Sequence, residues 1–339
     1  MIKKRLLLVV LPLVFAQTGA TQPDQKAVQE VDKRAEVNAG NNAEPSVKDE
    51  QAGPVSDERS GRQAVFESAL YFADWIDRFF GEREELETAS YDYLRLVNNL
   101  GWREGEGFEY RPRIKAKVHF PKINRKFSLL IADDNDVTGN RFDTNQNDEV
   151  FINNEKANTT AAINYDSDEY QGSQFSTRIG LDSSLRSFAL LKHNMSLYQD
   201  ENLQLRNINY LFWKDEQGFG LNPRFELDRV INEKNLFRWQ YSVLRAEKSE
   251  GNEWFNRFSW IERRGENSWL SYDMDISGAS ERDYTVETYR LALRYRKQLS
   301  IKWLYLEVEP ELLWQKSIER PQRHFIPGLI LRLEIQLEE

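Results

Sequence analysis

Arg111, Arg113, Lys115 and Lys117 recur at every second position of one short stretch, and His119 continues the series. In an extended chain that spacing puts all five groups on one face. A ladder of cationic side chains is suited to attract and hold anions rather than to make or break bonds. Arg290, Arg294 and Arg296 form a second basic set, and Glu226 with Asp228 and Glu307 with Glu309 and Glu311 supply carboxylates at the same period. These opposite charges could line a wet interior or pair with one another and fill it. Bond-making chemistry has less behind it. The histidines are His119, His193 and His324, and the nearest hydroxyl in sequence is Ser196 beside His193. A lipid hydrolase would need that Ser and His joined by an orienting group. Neither G-x-S-x-G nor H-E-x-x-H occurs, so the sequence assigns no catalytic residue. It assigns no cofactor and no metal either. Asp143, Asn145, Asn147 and Asp148 are dense in oxygen ligands, but Asp148 stands where a calcium loop needs glycine. No Glu follows at the twelfth position, and a solvated loop over 133–154 is the simpler reading.

The elements that must position these charges are strands of a particular kind. From Phe108 to Phe120, Phe108, Tyr110, Pro112, Ile114, Ala116, Val118 and Phe120 alternate with the polar series. One face is apolar and the other carries charge, so the strand needs two different solvents. The same alternation returns in Phe175 to Leu181, Phe219 to Leu227, Phe237 to Val243, Leu270 to Ile276, Tyr289 to Tyr295, Leu304 to Leu312 and Leu329 to Leu337. With weaker segments the parse gives about fourteen strands, or twelve if two segments between Ser183 and Gln204 merge. Short turns near Pro121, Asn232, Gly265 and Gln298 alternate with longer polar loops at 133–156, 247–253 and 315–323. Trp102, Trp213, Trp239, Trp254, Trp269, Trp303 and Trp314 sit near the inferred turns, where an interfacial girdle would hold them.

The N-terminal quarter reads differently. Lys3, Lys4 and Arg5 precede the apolar run Leu6 to Ala16, with small residues at Thr18, Gly19 and Ala20. That is the layout of a cleaved secretory signal over residues 1–20. Residues 21–60 are polar and almost without large apolar groups, which predicts a disordered periplasmic tail. Over 61–81 the spacing predicts an amphipathic helix, with Val65, Phe72, Ile76 and Phe79 on its apolar face and Gly81 at its end. It could pack on or plug the end of the domain that follows, residues 88–339. No cysteine occurs, which excludes disulfides and thiolate metal sites. A net charge of −9 argues against nucleic acid as a partner. A mean hydropathy of −0.70 looks soluble, but averaging hides a strand whose two faces differ.

Taken together, the region from about Ser90 onward resembles the transmembrane β-barrel proteins of Gram-negative outer membranes as a class. The resemblance implies an all-β, antiparallel, up-and-down barrel in contact with outer-membrane lipid. It implies a porin-like passive channel for small polar or anionic solutes. The alternative is a structural or assembly barrel whose residues 21–81 engage a periplasmic protein, and a lipid-modifying enzyme comes third.

Overall fold

A computed structural model of the chain describes residues 92–120, 124–133, 159–249, 251–280, 286–316 and 322–338. The signal segment, the tail and the helix with Val65, Phe72, Ile76 and Phe79 that the sequence predicts, and the polar stretch beyond Asp133, lie outside the described residues.

Fourteen strands follow one another in chain order. They are β1 (Tyr93–Arg103), β2 (Gly107–Phe120), β3 (Asn124–Asp133), β4 (Thr159–Asp166), β5 (Ser173–Asp182), β6 (Ser187–Gln199) and β7 (Leu203–Lys214), then β8 (Gly218–Asn232), β9 (Asn235–Ala246), β10 (Glu253–Gly265), β11 (Ser268–Ala279), β12 (Thr288–Gln298), β13 (Leu304–Gln315) and β14 (His324–Glu338). Each pairs antiparallel with its neighbours, and β1 pairs with both β2 and β14, so the sheet closes into a barrel. Closure removes the edges that an open sheet would expose. The segment between Ser183 and Gln204 resolves into two spans, β6 and the start of β7, which settles the count at fourteen.

Tyr93 lies opposite Glu338, so both ends of the barrel's chain reach the same rim. That rim also carries the tight turns after β2, β6, β8 and β10, whereas the opposite rim carries the long connection between Asp133 and Thr159. In outer-membrane barrels the short turns face the periplasm. Bulges interrupt the ladder at Ser196 to Tyr198, Val230 to Asn232 and Arg263 to Gly265, all at the short-turn rim. Such irregularities end pairing and bend strands at barrel rims.

The period of two fixes which face each side chain takes. Ile114 is 51% exposed on the outside, while Lys117, three residues on, is 1% exposed inside. Phe108, Ile163, Ile179, Leu211, Phe219 and Leu337 are exposed in the same way as Ile114 and together give the cylinder a continuous apolar skin. Facing water, that skin would lose roughly 25 cal/mol for each Å² left uncovered, so it belongs in hydrocarbon. Aromatic pairs such as Trp314 on Phe325, 5.2 Å apart, sit toward the strand ends. Polar atoms on the skin are tied down. Tyr110 Oη donates to Asn98 Oδ1 at 2.8 Å, and Trp239 Nε1 donates to Asn256 Oδ1 at 3.3 Å.

Candidate functional site: the charged interior

The ladder registers carry the basic and acidic sets to the same inner wall. Arg296 stands opposite Glu307, and Glu307 stands opposite Arg332. From these neighbours a network spreads over six strands. Arg257 on β10 forks onto Asp275 on β11 at 2.7 and 2.9 Å. Arg290 on β12 donates to Asp275 at 2.8 Å and to Glu311 at 2.6 Å, and it also holds Glu309. Arg332 on β14 holds Glu309 at 2.7 Å and also reaches Glu307. Arg296 bonds Glu334 at 2.8 Å, and Arg95 on β1 reaches the same carboxylate at 3.2 Å. Arg103 on β1 crosses β14 to Glu311 at 2.7 Å. Gly328 lies between them, and a Cβ there would stand 2.8 Å from the Glu311 carboxylate and 3.0 Å from Arg103 Cγ. Arg294 completes the wall, 3.5 Å from Asp273.

Two smaller clusters sit elsewhere on the circumference. Arg238 grips Asp228 with two bonds of 2.6 and 2.8 Å, and Arg206 lies 3.2 Å from both Asp228 and Glu226. Lys117 on β2 passes over β3 to Asp166 at 3.2 Å, where Asn164 and the Ser176 hydroxyl also donate. Arg178 donates to Asn164 Oδ1 at 3.0 Å. Ion pairs this deep are favourable only where the carboxylate lone pairs find donors, and the forked bonds of Arg257 to Asp275 and of Arg238 to Asp228 supply two apiece.

Of the residues singled out from sequence, Arg113, Lys117, Arg290, Arg294, Arg296, Glu226, Asp228, Glu307, Glu309 and Glu311 all point inward and are buried. Arg111, Lys115 and His119 point the same way and are half-buried. His119 Nδ1 lies 2.7 Å from Asp92 Oδ1, and its backbone N–H donates to the same oxygen at 2.9 Å. Those two bonds, the backbone one first, hold the Asp92 carboxyl below its usual range.

Three features of the interior differ from the sequence reading. Trp269, expected in a rim girdle, occupies the inward face of β11 and is fully buried, with the Arg263 guanidinium 5.8 Å from its ring. It follows the turn by two residues, but strand parity, set by its pairing with Arg296 and Arg263, turns it inside. The interior is also not polar throughout. Leu190, Ile208, Tyr210, Phe212, Leu244 and Ala246 form a buried apolar cluster on the inner wall of β6 to β9. A second, of Leu130, Ala132, Ala162 and Phe188, adjoins it. Gly220 lies beneath the Phe212 ring, where a Cβ would come within 2.1 Å of a ring carbon. In β6 and β7 apolar residues occupy both faces, so alternation alone could not reveal this wall.

Ser196 and His193 also part company. Their odd separation and opposite parity send Ser196 inward and His193 outward. The hydroxyl that His193 meets is Ser173 Oγ, 2.8 Å from Nε2, while its ring stacks on Phe175 with centroids 4.4 Å apart. No described carboxylate or amide side chain is bonded to that ring, so a relay from acid to base is absent among the described residues. Among the described residues, no cluster of His, Asp and Glu is arranged to hold a metal.

A closed antiparallel cylinder with an apolar skin and a charge-lined interior defines the transmembrane β-barrels of the outer-membrane type, and this chain is built as one. No family model and no curated relative matches it. Among solved structures it is similar to OprD of Pseudomonas aeruginosa, at 8% identity over 73% of this chain and 95% of that one, with a TM-score of 0.43. A FadL homologue of the same organism gives 7% identity over 76% and 93%, also at 0.43. OmpT, an outer membrane protein of Vibrio cholerae, gives 10% over 73% and 96%, at 0.40.

Proposed function

We propose that this chain is an exported, porin-like barrel of the bacterial outer membrane whose interior favours small anionic or polar anion-bearing solutes. The observation that carries the reading is the sign of the inner charge. Among the described residues, thirteen arginines and lysines are buried against nine carboxylates, an excess of four, in a chain whose net charge is −9. Among half-buried inward groups, Arg111, Lys115, Arg206 and Arg257 add to the basic side and Glu109, Asp166 and Glu253 to the acidic. Inside a low-dielectric wall such an excess lowers the energy of an anion and raises that of a cation. The apolar skin and the short-turn rim that carries both ends of the barrel's chain support the membrane setting and the orientation.

Reconstitution in planar bilayers across a potassium chloride gradient tests the reading. The expected reversal potential is that of a chloride-preferring path, and Arg113→Glu with Lys115→Glu should move it toward potassium. An ion preference unmoved by both substitutions would remove these residues from the path. Silence of every conducting assay, including that of a chain with Glu67, Asp74, Asp77 and Glu84 all replaced by lysine, would remove the passage itself.

A further inference from the structure

We infer that the interior of the barrel is a docking cavity for this chain's own acidic segment, residues 61–91. The inference concerns the same lumen as the proposed passage but does not require that anything flow through it.

The first argument is volume. Strands about 4.8 Å apart and tilted by about 40° close, at fourteen, into a cylinder of roughly 14 Å radius. Each inward side chain then has on the order of 150 Å³ or more of interior, above what even an arginine fills at protein density and several times what a serine fills. A round barrel of this size lined only by side chains would leave their tips wet. Yet inward residues on strands right round the wall, among them Lys117, Arg178, Asn222, Arg238, Ser259 and Arg290, are each at most 1% exposed. They are buried as residues of a packed interior are.

The second argument is the character of the wall. The arc from β10 to β2 is mainly charged, whereas β6 to β9 present Leu190, Ile208, Phe212 and Leu244 inward beside the Arg238 and Asp228 cluster. A water-filled passage gives those apolar side chains nothing to pack on, so the mixed wall fits an amphipathic occupant better than a column of water. Residues 61–91 are amphipathic. They hold Phe66, Leu70, Phe72, Ile76 and Phe79, and they carry seven acidic against three basic residues, a net charge of −4. That is opposite in sign to the buried basic excess of the wall. Reach is no obstacle. Residue 92 leads directly into β1 at the short-turn rim, and a helix of about 20 residues would be about 30 Å long, close to the height of a barrel.

The chain has no cysteine, so single thiols report cleanly. Ser259→Cys and, separately, Asn222→Cys place a thiol on the inner wall of the full chain in lipid vesicles, to be labelled with a small charged maleimide. The expected result is slow labelling, accelerated at least tenfold when Glu67→Lys, Asp74→Lys, Asp77→Lys and Glu84→Lys are added to reverse the segment's charge. Heat-modified gel mobility confirms that each variant is a closed barrel. In a second arm Asp77→Cys is combined with Asn222→Cys, and a bis-maleimide of about 10 Å should join them within one chain. Equal labelling rates with native and reversed segments would overturn the inference. So would protection that disappears on dilution of the protein in lipid, which would make a second copy the occupant, or cross-links found only between chains. Conductance enters neither readout, so a silent bilayer with an accelerated thiol removes the passage and leaves the docked segment.

Discussion

Replacing Arg290 with leucine would strip one guanidinium from three carboxylates at once, those of Asp275, Glu309 and Glu311. Its side chain is 1% exposed, and the three partners are exposed by 3% or less, so water cannot take its place. Breaking one buried pair by removing a partner costs about 3–5 kcal/mol, chiefly because the remaining charge is left without compensation. Arg332 still serves Glu309, Arg103 still serves Glu311 and Arg257 still serves Asp275, which keeps the loss near that range rather than at three times its size. With a urea slope of about 3 kcal/mol per molar, the unfolding midpoint should fall by roughly 1–1.7 M. The assay is the fraction of heat-modifiable, fast-migrating barrel in vesicles against urea concentration. Two companions make the magnitude diagnostic. Arg206→Leu, from a side chain 17% exposed, should cost less than half as much. Adding Glu309→Gln to Arg290→Leu should restore part of the loss, since it removes a stranded charge while Arg332 keeps Glu307. A midpoint lowered equally by Arg290→Leu and Arg206→Leu, or by less than about 0.3 M in both, would refute the account of the wall as a mutually compensating network, given the same slope.

Other consequences follow from the face assignments. Ile114→Arg should destabilise the barrel in lipid by about 2–4 kcal/mol near mid-membrane, and Ala116→Arg, on the same outer face two residues along β2, should behave alike. Vesicle unfolding that tolerates both arginines would mean the outer face does not meet hydrocarbon. Gly220→Val should displace the Phe212 ring at a cost of about 1–3 kcal/mol, visible as a lower urea midpoint and altered near-ultraviolet dichroism. Tyr110→Phe should cost about 1 kcal/mol by leaving Asn98 Oδ1 without its donor on the outer face. The Asp92 carboxyl, held below its ordinary 3.8, contributes stability that is present above that pH and is lost as the pH falls through the depressed value. Asp92→Asn should therefore weaken the barrel at pH 7 and make no difference in strong acid, as measured by paired urea curves across that range.

The strand Phe108 to Phe120 shows what the sequence alone determines. Once its residues are extended, alternation sends Arg113 and Lys117 to one side and Ile114 and Val118 to the other, whatever lies next to them. Repeated along the chain, that rule specifies a two-faced sheet, its turns and a strand count close to fourteen. It is silent where both faces are apolar, and so the inner wall built from Leu190, Ile208, Phe212 and Leu244 comes from closure and not from pattern. Trp269 is inside because its register with Arg296 and Arg263 outweighs its nearness to a turn. Only the closed, staggered sheet brings Arg103 across β14 to Glu311, Lys117 across β3 to Asp166, and Ser173 rather than Ser196 to His193. Parity is a local property of the backbone, legible residue by residue. Which charge meets which depends on register and on the stagger between strands, and those are fixed only when the fourteenth strand finds the first.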